Sequence, residues 1–196
     1  MIEGAPPELV EEVWGDCYRA VPHFNGGLVI DIGAGVGTFS AFARRHGCPV
    51  LAVEPDPKSA KLWHQNVDAG GMLIERPVGN GGFVEHREAG HGWQTFPGLD
   101  EPTLVWSSIA QPCDVLKVDC EGAEYPFLIG VDLTMVAYIA VEFHVWTDEP
   151  NDRGLGVRPE PMPAQPEDLL ARLDYTHDIE VVGDLETGGL MLGVRR

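Results

Sequence analysis

A short apolar run that ends in a glycine-rich turn and passes straight into a helix leaves a chain few folds to choose from. Here Leu28-Val29-Ile30-Asp31-Ile32 leads into Gly33-Ala34-Gly35-Val36-Gly37, and residues 38–46 keep helical spacing until Gly47 stops them. The glycines let the backbone turn tightly and approach a ligand, and the amides opening the helix face whatever polar group lies there. Strand, turn and helix in that order form the repeating unit of an open α/β sheet.

The unit recurs along the chain. Val50-Leu51-Ala52-Val53 predicts a second strand, and Asp56 caps a helix with Pro57 at its first position, expected to run to about Ala69. Met72-Leu73-Ile74 predicts a third strand. Asn80-Gly81-Gly82 before residues 83–87 predicts an inserted hairpin, and 88–101 reads as loop. Residues 115–119 and 136–146 predict two more strands around a helix of roughly 123–129, and 166–173 a further helix. Residues 179–182 and 190–194 predict a terminal antiparallel pair. An amphipathic helix over 7–20 opens the chain, and the Pro-rich stretch 147–165 reads as a lid or substrate loop. One domain over 1–196 is expected, a doubly wound α/β fold with a mixed sheet.

Charge narrows the partners. With 13 Lys and Arg against 31 Asp and Glu the formal charge is −18, and residues 97–150 hold ten carboxylates against the single Lys117. A phosphate backbone needs a basic surface, so nucleic acid is disfavoured, as is an anionic membrane surface. The longest apolar stretch, 135–141, is far short of the ~20 residues that span a bilayer, and residues 1–8 show no secretory pattern. A cytoplasmic protein is expected. Cys17, Cys48, Cys113 and Cys120 lack metal-ligand spacing and suit reduced thiols.

Seventeen residues after Gly37, at the end of the second predicted strand, Glu54 is placed to accept hydrogen bonds from both hydroxyls of a ribose. Gly33, Gly35, Gly37 and Glu54 together point to a nucleoside cofactor. A dinucleotide fingerprint would place a third glycine where Thr38 stands, which disfavours NAD. Asp31 would sit near any pyrophosphate, yet could hold a cationic amino group, and so fits S-adenosylmethionine better. A nicotinamide-dependent oxidoreductase and a non-catalytic nucleoside-binding subunit remain the competing readings.

Four segments carry a more specific resemblance: residues 29–37, Val53-Glu54-Pro55, Leu116-Lys117-Val118-Asp119-Cys120-Glu121-Gly122-Ala123-Glu124, and Val141-Glu142-Phe143-His144. Over residues 26–146 the chain resembles the FkbM family of class I methyltransferases, and Lys-x-Asp-x-Glu-Gly-x-Glu is the most discriminating piece. The resemblance implies a seven-stranded, Rossmann-like sheet with a reversed C-terminal hairpin and S-adenosylmethionine as donor. It implies a hydroxyl of a small molecule or saccharide as acceptor, with Pro55 beside the ribose and Val78 near the adenine. Asp119-Cys120-Glu121-Gly122 stands where methyltransferases of base nitrogens carry Asn or Asp followed by two prolines, so O-methylation is favoured.

If the strands carrying Asp119 and Glu142 are neighbours, as the resemblance implies, Asp119, Glu142 and His144 meet at the carboxyl edge of the sheet, where ligands of open α/β sheets bind. His144 or Asp119 would then be the general base and Glu142 would orient it. The trio also has ligand types for Mg²⁺ or Mn²⁺, a minority reading. Glu142 could instead serve only to neutralise Lys117, and Glu121 and Glu124 read as acids favoured at a helix start.

Overall fold

The protein is described by a computed structural model over residues 2–89, 92–97, 101–145, 165–186 and 188–196. Its strands are β1 (Val29–Ile32), β2 (Val50–Val53), β3 (Gly71–Ile74), β4 (Phe83–Ala89), β5 (Gly92–Pro97), β6 (Glu101–Pro102), β7 (Cys113–Val118), β8 (Val136–Phe143), β9 (His177–Asp184) and β10 (Gly188–Arg195). Its helices are α1 (Pro7–Trp14), α2 (Thr38–Arg45), α3 (Pro57–Asn66), α4 (Glu124–Leu128) and α5 (Pro166–Asp174).

Seven strands form one sheet in the order β3-β2-β1-β7-β8-β10-β9. β3, β2, β1, β7 and β8 are parallel, whereas β10 runs antiparallel to both β8 and β9, so the C-terminal hairpin is reversed. From β1 the chain steps outward through β2 to β3, then returns to β7 on the other side of β1. The strand order therefore reverses between β1 and β7, the place where open α/β sheets bind ligands.

Strand alternation divides the core between the two faces. Ile30, Ile32, Leu116, Val118, Ile139, Val141 and Phe143 pack on one face. Val29, Val115, Tyr138 and Ala140 pack on the other with Phe39 and Phe42 of α2. Asp31, Lys117 and Glu142 share the parity of that second face but lie toward the carboxyl ends of their strands. Alternation thus places charge at one edge of an otherwise apolar layer.

Four expectations from the sequence are corrected. The opening helix ends at Trp14, with Gly15 N–H donating to Glu11 O, and does not continue to Ala20. Asp16 and Arg19 then adopt positive φ (65° and 50°), and the Asp16 carboxylate accepts from the amides of Ala20 and Val21, folding 15–21 into a turn. α3 stops at Asn66 rather than near Ala69, its Asn66 side chain donating to Val36 O and Glu3 O. Residues 88–89, 92–97 and 101 lie in strands rather than in a loop. β4 pairs antiparallel with β5, and β6 flanks β4 in a separate three-stranded sheet. Asn80-Gly81-Gly82 leads into β4 without being its turn.

All four cysteines are free. Among the described residues, no helix is long and apolar enough to cross a membrane. The expected lid over 147–165 falls outside the described residues except for Gln165, as does Trp146.

Candidate active site

The three glycines after β1 do different work. Gly33 (φ +70°) donates its amide to Val53 O, and a Cβ there would collide with the Asp119 carbonyl. Gly37 (φ +91°) is the N-cap of α2, where a Cβ would come within 2.9 Å of Trp63 and Val67. Gly35 (φ +53°) has no atom within 4 Å of where a Cβ would stand. Packing alone accounts for two glycines, whereas the third faces open space.

Glu54 braces that turn. Its Oε2 accepts from Gly35 N–H at 2.8 Å and its Oε1 from Asp56 N–H at 2.8 Å. Burial raises its carboxyl above the usual range, against the pull of those two amides. Each oxygen retains a lone pair for a further donor. Pro55 is half-buried beside it, and Asp56 caps α3 through Lys58 N–H and Ser59 N–H. Val78 is buried beyond β3, its backbone bridged to Leu104, and packs into the core on that side.

Asp31, expected to hold the cofactor's amino group, lies instead beneath the turn. Its side chain is fully buried, Oδ2 accepting from Ser40 Oγ at 2.6 Å and Oδ1 lying 3.4 Å from Lys117 Nζ. The register pairs Asp31 with Lys117 across β1 and β7, which brings the two charges together. Lys117 also lies 3.4 Å from Asp119 Oδ2 and donates to Gly33 O at 2.8 Å. Its direct contacts are therefore Asp31 and Asp119, and Glu142 acts on it only at longer range. Burial would favour the neutral amine, but Asp119, Asp31 and Glu142 together hold Lys117 protonated.

At the ends of β7 and β8, Asp119, Glu142 and His144 converge, one ligand atom from each lying within 4.8 Å of the others. Burial and the charge of Asp119 push Glu142 up to about 7, while His144 and Lys117 act in the opposite sense. Burial alone would lower His144. Instead the hydrogen bond and charge of Glu124, joined by Glu121 and Asp119, raise it to about 10. His144 Nδ1 lies 3.2 Å from Glu124 Oε1, which also accepts from His144 N–H at 2.9 Å. Nε2 lies 3.5 Å from Glu121 Oε2 and 4.0 Å from Asp119 Oδ1. The imidazole is thus a cation held between carboxylates at neutral pH. These three side chains are compact enough to share one divalent cation, and Lys117 and His144 already bring positive charge among them and the neighbouring Asp31, Glu121 and Glu124.

Two site residues escaped the sequence reading. Tyr18, assigned to the stripe of the opening helix, lies in the turn after it, with its hydroxyl 3.3 Å from both Asp119 Oδ2 and Glu142 Oε2. Only the positive-φ residues Asp16 and Arg19 aim it there, and no spacing rule announces them. Glu124, read as a helix-start acid, does begin α4, but it is wholly buried and orients His144. His177 lies at the start of β9, bonded to Thr176 and Val136 O, and belongs to the core.

No family model and no curated protein matches the sequence. Solved structures do resemble the fold. The cofactor-bound Rv0187 protein from MTB superposes with a TM-score of 0.56 at 12% identity, over 99% of this chain and 82% of that one. Precorrin-6y C5,15-methyltransferase from Geobacter metallireducens GS-15 gives 0.53 at 13% identity, over 94% and 88%. Magnesium protoporphyrin IX methyltransferase (ChlM) from Synechocystis PCC 6803 with bound SAH gives 0.51 at 14% identity, over 96% and 82%. The fold is the Rossmann-like one of class I methyltransferases.

Proposed function

We propose that the chain is an S-adenosylmethionine-dependent O-methyltransferase, of the FkbM type that residues 116–124 resemble, acting on a hydroxyl of a small molecule or saccharide. One observation carries this reading: the open Gly35 turn braced by Glu54 and the acid cluster of Asp119 and Glu142 lie at the carboxyl ends of the strands on either side of the β1/β7 reversal. A nucleoside held at the first would present its reactive end to the second.

When bound, S-adenosylmethionine supplies a methyl group on a sulfonium, transferred in line to the acceptor oxygen while the C–S electron pair stays on sulfur. The protein must seat the donor, align the hydroxyl and take its proton. The remaining lone pairs of Glu54 receive the ribose hydroxyls, and the open face of Gly35 lets the backbone approach closely. Glu142, poised near neutrality, takes the hydroxyl proton, for a base works best when its affinity for protons matches the operating pH. His144, expected from sequence as a possible base, is already protonated and steadies the developing charge instead. Asp119 fixes the acceptor from the other side.

Calorimetric titration with S-adenosylmethionine, and with NAD in parallel, tests the cofactor. Micromolar affinity that falls at least tenfold in Glu54→Ala is expected, and a preference for NAD overturns the reading. Acceptor screening of small hydroxyl compounds and saccharides follows, with Glu142→Gln and Asp119→Asn expected to lose turnover while cofactor binding stays measurable.

A further inference from the structure

A buried polar chain runs beneath both halves of the site. Trp63 Nε1 donates to Ser40 Oγ at 2.9 Å, and Ser40 donates to Asp31. Lys117, 4% exposed, continues the chain from Asp31 to Asp119, and Tyr18 extends it to Glu142. An ammonium serving only as the counter-ion of Asp31 would need neither a second carboxylate nor the carbonyl of the glycine turn. Lys117 holds all three, with Gly33 O on the donor side and Asp119 on the acceptor side.

We propose that Lys117 is a positioning residue that ties the Gly33 peptide and the Asp119 carboxylate to one ammonium, coupling cofactor seating to the ionisation of the acceptor acids. Lys117 donates one proton to Gly33 O, and its charge lies 3.4 Å from both Asp31 Oδ1 and Asp119 Oδ2. A ligand that shifts the Gly33 carbonyl changes how strongly the ammonium attracts Asp119, and through Asp119 the proton on Glu142. Linkage makes the effect reciprocal, so the charge of those acids feeds back on cofactor affinity. Asp31 on β1 and Asp119 just after β7 face the ammonium, and Glu142 acts on it from β8. His144 beyond β8, Glu121 after β7, and Cys17 and Tyr18 from the N-terminal turn complete the charged and titratable surroundings of Glu142. Glu124 on α4 acts through His144.

The ligand's identity rests on the methyltransferase reading, but the coupling is tested without it. Carboxyl carbons of ¹³C-labelled protein are titrated by NMR in the wild type and in Lys117→Met/Asp31→Asn, which removes the cation together with its buried counter-charge. The midpoint of Glu142, near 7 in the wild type, should rise by a unit or more in the double variant. S-adenosylhomocysteine affinity should depend on pH in the wild type and lose that dependence in the variant. An unmoved Glu142 midpoint in a folded double variant overturns the proposal and leaves Lys117 a counter-ion only. If S-adenosylhomocysteine fails to bind the wild type, the cofactor reading falls while the carboxyl titration still judges the coupling. Asp119→Asn tests the same link from the acceptor end should the double variant not fold. A change of threefold or more in S-adenosylhomocysteine affinity at pH 8 is expected, and an unchanged value counts against coupling.

Discussion

The hydroxyl of Tyr18 lies 3.3 Å from the carboxylate of Glu142, 124 positions away in the sequence. It is equally close to Asp119, yet a phenol has one proton to give, so it serves one anion at a time. The N-terminal turn thereby enters the electrostatics of an edge built by β7 and β8.

Tyr18→Phe removes that donor and keeps the ring against Phe39. Loss of a hydrogen bond to the charged form raises an acid, so the acidic limb of the pH–rate profile should move up by roughly 0.5–1 unit. Melting temperature should change little. A limb that stays in place would remove Tyr18 from the proton network.

Gly33→Ala and Gly35→Ala should separate fold from ligand. At Gly33 a methyl meets the Asp119 backbone, and destabilisation of about 3 kcal/mol or more is expected from chemical denaturation. At Gly35 only the left-handed backbone is strained, about 1 kcal/mol, while cofactor affinity falls by an order of magnitude or more. Equal loss of stability in the two variants would refute the division of roles.

Stability should fall as pH rises through neutrality. Glu142 and His144 both bind protons more tightly folded than unfolded, with pKa values of about 7 and about 10 against ordinary values of 4.5 and 6.5. Each contribution is full below the unfolded value and is lost as pH rises through the folded one. Glu142 therefore weakens the fold between roughly pH 4.5 and 7, and His144 between roughly pH 6.5 and 10. Melting temperatures of Glu142→Gln should show the lower window flattened and the upper one retained.

Glu124→Gln keeps an acceptor for the His144 amide but removes the charge that raises the ring. The His144 midpoint, read by NMR from its ring protons, should drop from about 10 by one unit or more. A ring left at its wild-type value would mean that Glu121 and Asp119 suffice to hold it charged.

Much of this was legible in the residues. Runs such as Val50–Val53, bounded by turn signals, give strands whose positions need no tertiary knowledge, and Asp56-Pro57 announces its helix because the cap is local. The turn at 15–21 was not legible because it rests on non-glycine residues, Asp16 and Arg19, adopting positive φ, and the stop of α3 because it depends on Asn66 meeting the distant backbone of Val36 and Glu3. In the site, the position of Glu54 at the end of β2 follows from spacing. The burial of Asp31 required knowing that β1 and β7 pair in the register that sets it opposite Lys117. His144 was visible as a titratable group, but its protonation depends on Glu124, twenty residues away and wholly enclosed.

The close approach of Gly33 to the carbonyl of Asp119 leaves a single layer of backbone between the glycine turn and the acid cluster. Substitutions in that layer disturb both at once, so neither can be retuned there independently. If the chain is the methyltransferase proposed above, changes in acceptor range are more readily reached through the N-terminal turn, whose Tyr18 touches the acids while its chain belongs to neither strand. An engineer seeking a new acceptor should begin at residues 15–21.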